Sequence, residues 1–139
     1  MSQILIPAAL ALALAFAGFA VWVRLAPSDP ARWHLDPATA PRPSTPNWAE
    51  VDRVVAASPE TVARQIDERA RAEGAVRLAE DDGFTTWIAR TRLMRYPDYV
   101  SIRLTPEGEG TRIRAFSRSR FGYGDGGVNR ARLRRWLPD

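Results

Sequence analysis

The 139-residue chain carries 20 arginines against 16 acidic side chains, a formal net charge of +4, with no lysine and no cysteine. One domain of ordinary size fits in that length, and the lack of cysteine excludes a disulfide scaffold, a thiolate metal site and a thiol nucleophile. With His34 as the single histidine, a histidine-ligated zinc centre or a Ser/His/Asp triad is hard to assemble.

Residues 4–23 form a run of 20 without a charge, 18 of them apolar, the exceptions being Pro7 and Gly18. A helix of that length covers about 30 Å, the thickness of a bilayer's hydrocarbon core. Pro7 falls in the first turn, where its missing N–H costs little, and Trp22 falls at the far end, where an indole favours the membrane interface. The pattern predicts a transmembrane helix over residues 4–23. A cleavable signal peptide competes with it: Ala15-Phe16-Ala17 imitates a cleavage site, but Met1-Ser2-Gln3 supplies no basic side chain ahead of the apolar run. Orientation is balanced. Arg24, Arg32 and Arg42 lie after the segment, which by a positive-inside count keeps the rest in the cytoplasm, whereas an apolar segment at the N-terminus commonly exports the remainder of its chain.

Residues 24–47 hold six of the chain's 11 prolines, which predicts an extended, polyproline-like linker with no helix or strand of its own. Trp33, His34 and Leu35 are out of place in a free spacer, so part of the linker is expected to dock on the folded domain. His34 with Asp36 makes half a metal site at best, and the bland alternative is an ordinary surface histidine.

Residues 48–139 read as an α+β domain. Val51, Val54 and Val55 mark a short strand. Ser58-Pro59-Glu60 then supplies an N-cap, a proline at the first helical position and an acid facing the helix dipole, and Val62, Ala63, Ile66 and Ala70 succeed it at helical spacing as far as Gly74. The period then switches to two, giving strands over residues 76–80, 84–96, 99–105 and 111–118, separated by Asp82-Gly83, Pro97-Asp98 and a turn over residues 106–110. Asp81-Asp82 are adjacent carboxylates that turn chemistry accounts for. A glycine-rich loop over residues 121–127 leads to a last helix over residues 128–137. The expected architecture is an antiparallel sheet of about five strands with two helices on one face.

Gly122, Gly124 and Gly127 spell G-x-G-x-x-G, but no second strand and no acidic residue about 20 positions on accompany them, so a dinucleotide fold is not expected and the glycines are expected to serve turns. The charge is more informative. Residues 1–83 hold 8 arginines and 11 acids, a balance of −3, whereas residues 84–139 hold 12 arginines and 5 acids, a balance of +7. Arg118, Arg120, Arg130 and Arg132 bracket the glycine loop beside the start of a helix, a combination suited to a carboxylate, a phosphate or an anionic headgroup. The candidate contact residues are Arg118, Arg120 and Arg130 holding the anion, Asp125 orienting them or capping the helix, and Asn129 donating. Against this stands a structural reading in which Arg118 and Arg120 pair with Asp125, Asp98 or a carbonyl and pin the loop. Nucleic acid is a poor partner for a tethered domain whose other half is acidic. No catalytic residue, metal or cofactor is indicated.

Two stretches carry a resemblance. One runs Thr91-Arg92-Leu93-Met94-Arg95-Tyr96-Pro97-Asp98-Tyr99-Val100. The other is Ser117-Arg118-Ser119-Arg120-Phe121-Gly122-Tyr123-Gly124-Asp125, continuing through Gly127, Asn129-Arg130 and Arg132 to Trp136-Leu137. Together they resemble the bacterial and plastid family known as domain of unknown function 1499, with a departure at Gly126, where a larger apolar residue is expected. Arg32-Trp33-His34-Leu35-Asp36-Pro37 is similar to the linker of membrane-anchored members. The resemblance implies an uncharacterised protein with an anchor or signal, and an exported, periplasmic domain. The expected function is a membrane-anchored domain binding an anionic ligand, such as a lipid, or a protein partner. An enzyme of unknown reaction using the Arg-rich loop and a lipid-binding, helix-grip-like domain are the alternatives.

Overall fold

A computed structural model describes residues 2–81 and 83–139; Asp82, read above as part of a turn, and Met1 lie outside the described residues. The elements run α1 (Ser2–Leu25), α2 (Pro30–Trp33), β1 (Trp48–Val55), α3 (Pro59–Ala72), β2 (Val76–Asp81), β3 (Phe84–Arg90), β4 (Pro97–Glu107), β5 (Gly110–Ser119) and α4 (Val128–Trp136). The strands form one antiparallel sheet in the order β1-β5-β4-β3-β2, so the α+β expectation holds.

Local chemistry sets the elements much as expected. Ser58 caps α3 by accepting from the Thr61 N–H, with Pro59 at the first position and Glu60 in the first turn, and the helix buries Val62, Ile66 and Ala70. Two strand limits differ. The third expected strand stops at Arg90, because residues 91–96 fold into a loop: the Tyr96 N–H donates to Thr91 Oγ1 at 2.9 Å and the Thr91 N–H to the Tyr96 carbonyl at 3.0 Å. Pro97 and Asp98, expected in a turn, instead begin β4. Proline is tolerated as the first residue of a strand.

Alternation along the strands creates two faces. Trp87, Val100, Ile102, Ile113 and Ala115 point toward α3 and α4 and meet Val62, Ile66, Leu133, Trp136 and Leu137 in one core. The opposite face is also covered, and the linker covers it. Trp33 stacks on Tyr99, His34 stacks on Phe84, and the Arg42 guanidinium lies 4.3 Å above the Phe116 ring. Asp36 closes the strap by accepting two hydrogen bonds from Arg103, at 3.0 and 2.8 Å. Residues 26–47 are therefore a docked strap, in line with the expected docking around Trp33, and its one helical turn, capped by Asp29, corrects the expectation of a linker with no helix of its own. Aromatic stacking and a two-pronged ion pair outweigh the extended preference of its prolines.

Candidate functional site

The five sequence-selected residues separate onto the two faces of the sheet and the outer side of α4. The Ser117 hydroxyl donates to Asn129 Oδ1 at 2.5 Å on the helix side of β5, so the next residue, Arg118, points to the strap side. There it is 3% exposed and donates to the Trp33 carbonyl at 2.5 Å and to Ser101 Oγ at 3.3 Å. Burial without a carboxylate partner among the described residues lowers its pKa to about 10. Arg120, half-buried on the same side, donates to the Pro27 carbonyl at 2.9 Å and to the Tyr99 hydroxyl at 3.4 Å. Carbonyls rather than Asp125 or Asp98 receive both guanidinium groups, and both fasten the strap to the sheet. Arg130 is exposed on α4.

Asp125 and Asn129 meet at the start of α4. Asp125 accepts from the Gly127 N–H and the Asn129 N–H, each at 2.9 Å, and from Asn129 Nδ2 at 2.7 Å. These donors hold its carboxyl below the usual range although burial opposes them. The chain's own carboxylate thus occupies the positive end of α4, filling the capping role that Gly127 cannot supply. Gly126 and Gly127 have φ of 58° and 81°, backbone that a larger side chain strains; the departure at Gly126 matches this local geometry.

Sequence reasoning undervalued a buried pair. Arg132 Nη2 donates to Asp98 Oδ2 at 2.7 Å, and Arg132 Nη1 donates to Asn129 Oδ1 at 2.9 Å. Asp98 is fully buried, its Oδ1 has no hydrogen-bond partner among the described residues, and burial raises its pKa against the pull of Arg132 and Ser119. It lies in a cleft of about 260 Å³ between the 91–96 loop and the glycine loop, with Tyr96, Phe121 and Val128 in its apolar walls and Asp125 beside it. The two stretches that carry the family resemblance are the two walls of this cleft.

His34 differs from an ordinary surface histidine. Its side chain is 8% exposed, and its ring nitrogens bond Thr86 Oγ1 at 2.8 Å and Asp81 Oδ1 at 2.9 Å. Asp81, His34 and Thr86 stand in the order of a nucleophilic triad, but Thr86 is fully buried and bonds Ser101, so its hydroxyl has no access to substrate. The hydrogen bonds of His34 tie the strap to the sheet. Among the described residues no group of three His, Cys, Asp or Glu side chains converges on a metal position.

One helix among the described residues is long and apolar enough to cross a membrane, over Ile6–Leu25. Its C-terminal end touches the cleft walls: the Phe19 ring lies 6.4 Å from Tyr96 and 6.5 Å from Phe121, and Trp22 lies 5.5 Å from Phe121. Ala20 and Val23 are buried there.

These features define a small α+β domain with a strapped sheet and a cleft beside an apolar helix. The chain belongs to the DUF1499 family of proteins of unknown function, whose model matches residues 23–139 and so includes the whole strap. No curated protein matches it.

Proposed function

We propose that the chain is a single-pass membrane-anchored domain that binds an anionic ligand on the surface beside its anchor. The observation that carries this is a group of exposed arginines without carboxylate partners, set beside aromatic rings at the end of α1. Arg64, Arg71, Arg77, Arg112 and Arg135 sit against carboxylates on α3, α4 and the sheet. Arg130 and Arg134, exposed on α4, have no carboxylate partner among the described residues either, but the arginines around the end of α1 combine that with neighbouring aromatic rings. Three of the four rings of the aromatic contact set have an arginine within two positions: Arg24 beside Trp22, Arg95 beside Tyr96 and Arg120 beside Phe121. Among the described residues Arg24, Arg92, Arg95 and Arg120 have no carboxylate partner, and the first three are exposed.

Electrostatics favours the rim over the cleft interior for an anion, because Asp98 and Asp125 line the cleft. Of the five sequence-selected residues, Arg120 belongs to this rim. Asp125 and Asn129 shape the loop that carries Phe121, Arg118 fixes the strap, and Arg130 belongs to the outer face of α4. The domain is assigned to the periplasmic side on the export tendency of an N-terminal apolar segment, and a reporter fused after Asp139 that is active in the cytoplasm alone overturns that assignment.

The test of anchoring and binding uses the full chain. It is expected to resist carbonate extraction from membranes and to leave micelles, in native mass spectrometry, with anionic adducts that the double variant Arg92→Gln, Arg95→Gln loses. Release by carbonate removes the anchor; retention without adducts removes the anion.

A further inference from the structure

We infer that the anionic ligand is the headgroup layer of the bilayer itself, and that the loops over residues 91–96 and 121–123 seat in the membrane interface beside α1. This rests on the reading of α1 as an anchor and adds a claim about depth.

The depth is fixed by Phe19. At 1.5 Å per residue it lies about 9 Å along the helix before Leu25, within a span of about 30 Å. A ring that touches a residue inside the span is itself at interfacial depth, and Tyr96 and Phe121 both touch Phe19. Their loops come with them. Leu93 is 84% exposed and Tyr123 is 76% exposed, a large aliphatic group and an amphipathic ring held out on turns, where their apolar surface gains nothing from water. Tyrosine is enriched at the headgroup level, and leucine gains free energy beneath it. Arg92 and Arg95 flank Leu93, placing guanidinium groups where phosphates lie.

The 91–96 loop is built for this presentation. Arg90 donates to the Arg95 carbonyl at 3.0 Å, and the Arg95 N–H donates to the Thr91 carbonyl at 3.1 Å, so the apolar tip is held in place before it meets lipid. β4 leads directly away from this loop, and its 11 residues carry the β4–β5 turn about 35 Å off. Glu109, in that turn, therefore serves as an internal control for depth.

Because the chain has no cysteine, Leu93→Cys and Glu109→Cys each accept one spin label. The labelled full chain is reconstituted into vesicles of phosphatidylcholine, or of an equal mixture with phosphatidylglycerol, and accessibility to oxygen and to an aqueous nickel chelate is measured. The expected result is oxygen access above nickel access at position 93, the reverse at 109, and a deeper position 93 in the anionic mixture. Loss of that deepening in Arg92→Gln/Arg95→Gln supports headgroup contact. Equal behaviour of the two labels on a chain that floats with vesicles overturns the seating and leaves the anchor standing. Protection of position 93 from both reagents indicates a protein occupant and overturns it too. A chain that does not float overturns both readings.

Discussion

Trp33 lies flat on Tyr99, with ring centroids 4.1 Å apart and planes 13° from parallel. This contact turns a proline-rich segment into part of the fold, and beneath it the Tyr99 hydroxyl bonds Ser28 Oγ at 2.8 Å. Replacing the indole removes both the stacking and the ring beneath the Arg120 guanidinium, which lies 5.7 Å from its centroid. Trp33→Ala is expected to lower stability by about 2 kcal/mol, toward the low side for an aromatic because Trp33 is only partly buried. The checks are a urea midpoint and protease cutting within residues 24–47. An unchanged midpoint with unchanged cutting shows that the strap is held by something else.

Removing Arg132 strands a carboxylate. Arg132→Met leaves Asp98 buried without its cation, which costs about 3–5 kcal/mol at neutral pH. The sign of the pH effect is set by the raised pKa of Asp98. The folded state holds the proton more tightly than the unfolded chain, so this contribution is fully present below the ordinary value of 3.8 and is lost as pH rises through the folded value. The variant's deficit relative to the parent should therefore shrink as pH is lowered toward about 4. Urea midpoints of both proteins across that range provide the test. A deficit that stays constant shows that Asp98 does not titrate there.

Two glycines are constrained in different ways. A Cβ on Gly110 would run into the Val55 carbonyl oxygen, a backbone atom that cannot turn aside. Gly110→Ala is expected to cost about 1–3 kcal/mol and to speed amide exchange where β1 meets β5. A Cβ on Gly126 meets nothing within 4 Å, but φ is +58°, so Gly126→Ala should cost only about 1–2 kcal/mol. Thermal unfolding that ranks the two in the opposite order contradicts the packing at the sheet end.

Arg95 is the one non-glycine residue with positive φ among those described, at 61°. A left-handed conformation at a side chain of this size is disfavoured by about 1–2 kcal/mol, and it places an unpaired guanidinium beside Leu93. Arg95→Gly is expected to preserve or raise stability while weakening the preference for vesicles containing phosphatidylglycerol. A drop in both measurements shows that the side chain contributes to the fold.

The α3 stripe and the alternation in β4 were legible because a cap, a proline at the first helical position and a strict period of two are local signals that tertiary structure had no reason to override. The limits of β3 and β4 were not. Residues 91–96 carry strand-like side chains, and their turn is made by Thr91 bonding Tyr96, a contact that no turn residue announces. For the site, the two stretches that resemble the family were visible, but period-two alternation also put Arg118 and Ser117 on opposite faces, which separates Arg118 from Asn129.

By itself the sequence determined the apolar helix, the α+β order and the surplus of arginine toward the C-terminus, because each depends on residue type and spacing along the chain. Tertiary structure alone decided which arginines are already engaged. Arg118 and Arg120 are taken by carbonyls of a strap more than 80 residues earlier, Arg132 is taken by Asp98, and Arg92 and Arg95 are left beside the anchor. Partnership between charges depends on distance in space and on burial, and neither can be read from separation along the chain.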